Sequence, residues 1–180
     1  MKINIKLAVL SDLSKIICIK NSLVENMNNK GNYQWNNCYP TKEIILKDIT
    51  DNVLYVAISE KTNDICGFIT ISTKPNKNYD IIYDMSINSI IIYRLAVACE
   101  FQKKGIATSL LNHAEIIAKK MNINRIRLDT SIYNKESNNL YKKLGYTLVK
   151  TLKKEREIID YNGELKIISY DGTYYEKIIK

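Results

Sequence analysis

With 180 residues, 46% of them apolar, the chain is long enough to bury a core as a single domain over 1–180 without cross-links. Its four cysteines, Cys18, Cys38, Cys66 and Cys99, form no C-x-x-C pair, and His113 is the one histidine; this argues against a metal centre and for free thiols in a reducing cytoplasm. The formal charge of +8 raises nucleic acid or a small anion as partners, but no apolar run approaches the roughly 20 residues of a membrane span.

The N-terminal stretch Ile3, Ile5, Leu7 alternates apolar with polar residues, as a first strand does and a signal sequence does not. Ser11 is the predicted N-cap of a helix whose Leu13, Ile16, Ile17, Leu23 and Met27 share a face. After an irregular stretch rich in aromatic residues, Asn32 to Pro40, Thr41 caps a short helix to about Ile49. Residues 54–58 and 65–71 read as a hairpin, 73–80 as a loop, and 81–86 as a short strand or irregular edge. Ile90 to Val97 is a central strand. A long helix follows from near Gly105, with Ile106, Leu110, Leu111, Ala114, Ile117, Ala118 and Met121 facing a core. Next come a strand (125–129), a helix (135–144) ended by Gly145, and a strand (146–152). Asn162-Gly163 marks a hairpin turn, and 173–179 closes the sheet. A strand–helix–strand crossover inside an otherwise antiparallel sheet gives one parallel pair. The fold class is therefore α/β with a mixed sheet, and no G-x-G-x-x-G is present to indicate a Rossmann fold.

The stretch Arg94 to Thr108 carries the chemistry. A strand enters a short loop, and the loop enters a helix. Gly105 and Ala107 keep side chains away from the helix start, so ligands can approach its unpaired N–H groups. Those groups and the helix dipole suit a phosphate, and Lys103 and Lys104 add charge. The residues alone also allow an ordinary helix start with solvated lysines.

The same stretch resembles the acetyl-CoA motif of the GNAT superfamily of N-acetyltransferases. Leu95-Ala96-Val97 matches its strand end, and Gln102-Lys103-Lys104-Gly105-Ile106-Ala107 its [QR]-x-x-G-x-[GA] loop. Asn134 to Tyr146 resembles a second family segment, N-x-x-A-x-x-L-Y-x-K-x-G-[FY]. The resemblance is strong over about 90–150, the cofactor-binding core. Cys99 stands in place of a common proline, Ser137 in place of alanine, and 156–170 looks like an insertion.

The resemblance implies acetyl-CoA as acetyl donor, held by Leu95, Ala96, Val97, Gln102, Lys103, Lys104, Gly105, Ile106, Ala107, Thr108, Asn134, Ser137 and Tyr141. It implies that the Val97 N–H polarises the thioester carbonyl, that Asn134 contacts the cofactor arm, and that Tyr141 protonates the departing thiolate. Asn134 reads equally as a turn residue, and Tyr141 as a packing residue. For the general base, Asp129, Asp84 and Glu100 stand beside a water relay. Trp35 and Tyr39 are candidates for the acceptor pocket, or parts of a packed lid. Cys99 lies in the phosphate loop and makes no convincing nucleophile, His113 reads as surface or packing, and the 150–154 lysine run reads as a solvated face.

The leading expectation is an enzyme that acetylates a primary amine of a small molecule or peptide by direct attack, acting as monomer or homodimer. A non-catalytic acyl-CoA-binding module of the same fold is the alternative. A nucleic-acid-binding protein comes third, because no aromatic–basic platform is evident. Lysine supplies all of the positive charge except Arg94, Arg125, Arg127 and Arg156, a compositional bias spread along the chain. Duplex DNA and RNA are thus expected to bind weakly, with a steep loss as salt rises in a filter-binding titration. Tight, sequence-selective binding at physiological salt would contradict that expectation.

Overall fold

A computed structural model describes residues 1–76, 79–159 and 162–179. Its strands are β1 (Ile3–Leu7), β2 (Leu54–Ser59), β3 (Ile65–Ser72), β4 (Ile90–Val97), β5 (Arg125–Ser131), β6 (Thr147–Ile159) and β7 (Leu165–Ile178). The helices are α1 (Leu13–Asn28), α2 (Lys42–Thr50), α3 (Ile106–Lys120) and α4 (Lys135–Lys143). One sheet runs β1-β2-β3-β4-β5-β7-β6, with β4 and β5 parallel and every other pairing antiparallel. The mixed sheet with a single parallel pair is the one expected. Neither the 73–80 loop nor the Asn162-Gly163 turn can be followed throughout, because 77–78 and 160–161 lie outside the described residues.

Strand alternation sorts the apolar residues onto two faces. Ala57, Ile69, Ile90, Ile92, Ile126, Leu128 and Tyr175 pack against α3 and α4. On the opposite face Leu54, Val56 and Phe68 pack against α1, α2 and Trp35. Farther along that face, Tyr79 and Tyr83 cover Ile91 and Tyr174. The 81–86 stretch is therefore an irregular cover and not a strand: Tyr79 and Tyr83 bury their rings from turns.

Three local expectations need correction. A 3-10 turn at Leu10–Asp12 precedes α1, so Asp12, not Ser11, holds the N-cap position, and its carboxylate accepts from the Val9 N–H at 3.0 Å. Met121 is 50% exposed because α3 ends one residue before it. The strand expected over 146–152 continues to Ile159 and forms a long ribbon with β7.

The sheet's main irregularity lies in β4. Phe68 pairs with Ala96 and Thr70 with Tyr93, so β4 carries one residue more than β3 between those rungs. Arg94 takes up the excess at φ +48°, a bulge in a region that side chains rarely occupy. Its side chain is clamped: the guanidinium pairs with Asp48, which also accepts from the Thr70 hydroxyl at 2.7 Å, and bonds the Tyr39 hydroxyl at 3.2 Å. The parallel pairing of β4 with β5 runs from Ile90–Ile126 to Ile92–Leu128 and stops before the bulge. Beyond Ile92 the two strands part.

Candidate active site

The split in the sheet exposes the backbone of the end of β4. Gly67 faces Val97 across β3–β4, and the next bond runs from the Ala98 N–H to the Cys66 carbonyl at 2.9 Å. In an antiparallel ladder this makes Gly67–Val97 a non-hydrogen-bonded rung, whose N–H and C=O groups point away from each other. The Val97 N–H therefore points toward the gap left by β5. The Val97 carbonyl, on the same side, accepts from the Gln102 side chain at 3.2 Å. Gly67 is required at this rung, since a Cβ there would stand 2.5 Å from the Ala96 carbonyl oxygen.

From Val97 the chain passes through a 3-10 turn, Cys99–Phe101, into the loop 102–105. Lys103 at φ +57° and Gly105 at φ +82° turn it onto α3. Gly105 is the N-cap, no side chain caps this helix, and its first turn carries no acidic residue. The leading amides of α3 thus keep their donors free of side-chain partners, as an anion cradle requires. Gln102, Lys103, Lys104 and Gly105 are exposed, while Ile106 anchors the helix in the core. The Lys104 ammonium is tied to the Glu100 carbonyl at 2.8 Å and lies over the Phe101 ring, so Lys103 is the freer of the two charges. These residues fit a pyrophosphate-bearing ligand: backbone donors converge, and open space lies over Gly105.

Tyr141 belongs to the same apolar cluster as Ile106, with Leu95 and Val97 packed against it. Its ring sits between Tyr146 (5.9 Å) and Tyr175 (5.6 Å) and is 4% exposed. Burial pushes the phenol pKa well up, the Ser137 hydroxyl pulling slightly the other way. The group therefore stays protonated throughout the neutral range. Asn134 caps α4, its side chain accepting from the Ser137 N–H at 3.2 Å. Asn134 thus acts as a cap, and among the described residues its side-chain nitrogen makes no hydrogen bond.

Asn138 was not singled out by sequence, though it holds this corner together. Its Nδ2 donates to the carbonyls of Ser131 (2.9 Å) and Asn134 (2.7 Å), and its Oδ1 accepts from Thr173 (2.9 Å) and Tyr175 (2.7 Å). Two donors and two acceptor sites are all used. Asn138→Leu is expected to lower unfolding free energy by about 2–4 kcal/mol in a denaturant titration, because buried groups lose their partners. A loss below about 0.5 kcal/mol would show that the network is not needed.

On the opposite face a small polar cleft of about 60 Å³ is lined by Gln34, Trp35, Tyr39, Tyr93, Arg94, Asp129, Lys154 and Arg156, among others. Gln34 fastens the aromatic segment to the end of β5, its carbonyl accepting from the Thr130 hydroxyl (3.1 Å) and the Ser131 N–H (3.0 Å). Trp35 is 7% exposed and stacks on Phe68, joining the core, yet it lines the cleft together with Tyr39. Lys154 departs from the solvated-face expectation. Alternation on β6 turns it inward, where it bonds Asp129 at 2.6 Å. Burial opposes its charge, but Asp129 outweighs this and raises the ammonium pKa above its ordinary value.

The base candidates separate cleanly. Asp129 lines the cleft, but Lys154 holds one carboxylate oxygen and the Tyr79 hydroxyl the other at 3.1 Å. Asp84 is exposed and folds onto the N–H and hydroxyl of Ser86 (2.9 and 2.7 Å). Glu100 is exposed on the phosphate-loop side. His113 packs edge-on against Tyr55, as its packing reading expects. Cys99 lies 3.9 Å from the Ser22 hydroxyl, while the imidazole of His113 is packed on Tyr55.

The comparisons bear directly on this geometry. The family described as "Acetyltransferase (GNAT) family" matches residues 21–146, which contain both motifs and the split strand. The chain belongs to the GNAT acetyltransferase family. A GNAT-family acetyltransferase from Streptococcus agalactiae superposes with a TM-score of 0.77 at 19% identity, over 99% of this chain and 96% of that one. An acetyltransferase from Staphylococcus aureus Mu50, described as putative, is 26% identical, with a TM-score of 0.69 over 98% and 99%. The PaiA N-acetyltransferase of Thermoplasma acidophilum, solved in complex with coenzyme A, gives 0.68 at 20% identity over 99% of both chains. No curated protein sequence matches the chain. No described helix of this GNAT protein is long and apolar enough to cross a membrane.

Proposed function

We propose that this GNAT protein transfers an acetyl group from acetyl-CoA to a primary amine by direct attack within a ternary complex. The observation that carries the reading is the split between β4 and β5. It sets the Val97 N–H and the uncapped start of α3 beside the apolar cluster of Tyr141, with a polar cleft on the far face. Acetyl-CoA, when bound, supplies the acetyl group as an activated thioester.

The chain's own residues then divide the work. The amides from Gly105 to Thr108, with Lys103, hold the pyrophosphate. The free backbone edge at Leu95 and Val97 and the spare amide of Asn134 hold the arm. The Val97 N–H donates to the oxygen on which charge develops, a contribution of roughly a hundred- to thousandfold in rate. Tyr141, kept protonated by burial, donates to the leaving sulfur. The polar cleft receives the acceptor. Asp129 is already engaged by Lys154 and Tyr79, so we assign removal of the ammonium proton to water in the cleft, with Asp129 balancing its charge.

An acceptor screen with acetyl-CoA, reading released thiol and confirming the acetylated product by mass, tests the reading. Initial rates against both substrates are expected to give intersecting double-reciprocal lines. Parallel lines would indicate an acetylated enzyme and remove direct attack. Tight acetyl-CoA binding with no thiol release from any amine would leave a non-catalytic acyl-CoA-binding module.

A further inference from the structure

The cleft beside the split sheet has an uneven charge balance. Three cations, Arg94, Lys154 and Arg156, line it. Asp48 takes Arg94, and Asp129 takes Lys154. Among the described residues, no carboxylate lies within ion-pair distance of Arg156. This guanidinium is nevertheless held in place. It lies 3.9 Å above the centroid of the Tyr39 ring, and its Nη2 donates to the Tyr170 hydroxyl at 3.2 Å. Its Nε is buried, with no hydrogen-bond partner among the described residues. Leaving such a donor unsatisfied is costly, and because Arg156 lines the cleft, an anion there would offer acceptors to its guanidinium.

We propose that Arg156 is the anchor for an anionic group of the acceptor, and that the acceptor is therefore a small amine carrying a carboxylate, of the amino-acid class. The inference rests on the acetyltransferase reading above. An oriented guanidinium on an aromatic face, with N–H groups unspent, is the arrangement that recognises a planar carboxylate in fork fashion. Lys154 and Arg156 are two residues apart on β6 and so share a face, about 6–7 Å apart along the strand. The anchor thus sits one strand repeat away from Asp129, beside which the acceptor's ammonium is placed. One molecule with an amine at one end and a carboxylate at the other brings its anion to the cation that has no carboxylate partner among the described residues, and its amine to the already paired Asp129 and Lys154. A polyamine or aminoglycoside brings further ammonium groups to a cleft that already holds one cation in excess, and like charges there are disfavoured.

Matched acceptors provide the test: an α-amino acid, its carboxamide, and the corresponding amine without the carboxyl group. The wild-type protein is expected to acetylate the acid with a kcat/KM at least about tenfold above the other two. Arg156→Gln is expected to raise KM for the acid by roughly ten- to a hundredfold, in the range for a hydrogen bond to a charged partner, with KM for the carboxamide moving much less. Arg156→Lys is expected to fall between the two, because it keeps the charge and loses the fork. Acetyl-CoA affinity by calorimetry should stay within about twofold in both variants.

Equal or better use of the carboxamide or of polyamines by the wild type would overturn the assignment. So would an Arg156→Gln variant whose KM rises equally for acid and amide, which is the mark of packing. If the variants do not fold, the wild-type comparison of the three acceptors still decides. If no amine releases thiol, the acetyltransferase reading fails and takes this inference with it. If amines react irrespective of their carboxyl groups, the anchor alone fails.

Discussion

Gly105→Glu is expected to raise the Kd for acetyl-CoA by more than about a hundredfold, the equivalent of roughly 3 kcal/mol and the scale of one or two charge-assisted hydrogen bonds. The residue is the N-cap of α3, with φ +82° and open space where a Cβ would stand. A glutamate there directs a carboxylate at amides meant for phosphate, so its charge repels the ligand while its oxygens compete for the donors. It also strains the backbone, because side chains disfavour left-handed φ by about 1–2 kcal/mol. Gly105→Ala separates the two effects, sharing the strain and lacking the charge. Its melting temperature should fall with that of the glutamate variant, while its cofactor affinity should fall much less. Calorimetry showing parental affinity for Gly105→Glu would remove the cradle from this helix.

Tyr141→Phe is expected to reduce turnover by roughly ten- to a thousandfold while acetyl-CoA affinity hardly changes. The ring is packed between Tyr146 and Tyr175, and phenylalanine keeps that packing. What disappears is a donor needed as charge develops on sulfur, not in the ground state. Burial raises the phenol's pKa above the ordinary value near 10. Full proton transfer to a thiolate of ordinary basicity is therefore uphill before the cofactor binds, and hydrogen-bond donation is the larger part of the expected effect. The sign for pH follows: a raised phenol pKa keeps the proton in place as pH rises, so Tyr141 should produce no alkaline loss of kcat below about pH 10. Normal turnover in the variant would leave Tyr141 as a packing residue. Joint loss of affinity and turnover would make it a positioning residue for the cofactor.

The elements with strong local signals were legible in the sequence. The β4 strand was expected at Ile90–Val97 and found there, and Thr41 caps α2 through its bond with the Ile44 N–H. The α3 start at Gly105 was readable because the apolar periodicity of the helix begins at Ile106, directly after a glycine free to take the left-handed turn. Less legible were effects that depend on partners far along the chain. Nothing local in Tyr93-Arg94-Leu95 announces a bulge; its clamp comes from Asp48 and Tyr39. Lys154 looked like one of several solvated lysines because its partner Asp129 lies 25 residues earlier. Asn138 looked like filler in a helix motif, and its worth comes from Thr173 and Tyr175. Trp35 sits in an irregular segment that suits either substrate contact or a packed lid, and its stacking on Phe68, 33 residues later, is invisible locally. The motif singles out the loop before α3, and only the assembled sheet brings the residues of the polar cleft together.

The place of β7 has a consequence for how the protein comes into being. β7 lies between β5 and β6, and among the described residues β6 pairs with no other strand. A ribosome that has released everything through β6 has therefore made the phosphate loop, α3 and α4 but cannot yet close the sheet. At that stage the edge of β5 is open, Tyr141 lacks the Tyr175 ring, and Asn138 lacks two of its four partners. Only the last strand, arriving from far along the chain, converts these parts into one body. Such late, long-range pairing is slow and leaves strand edges exposed while it is pending. The nascent chain should accordingly depend on chaperones until β7 emerges, and a ribosome stalled before that strand should carry a protease-sensitive, inactive chain.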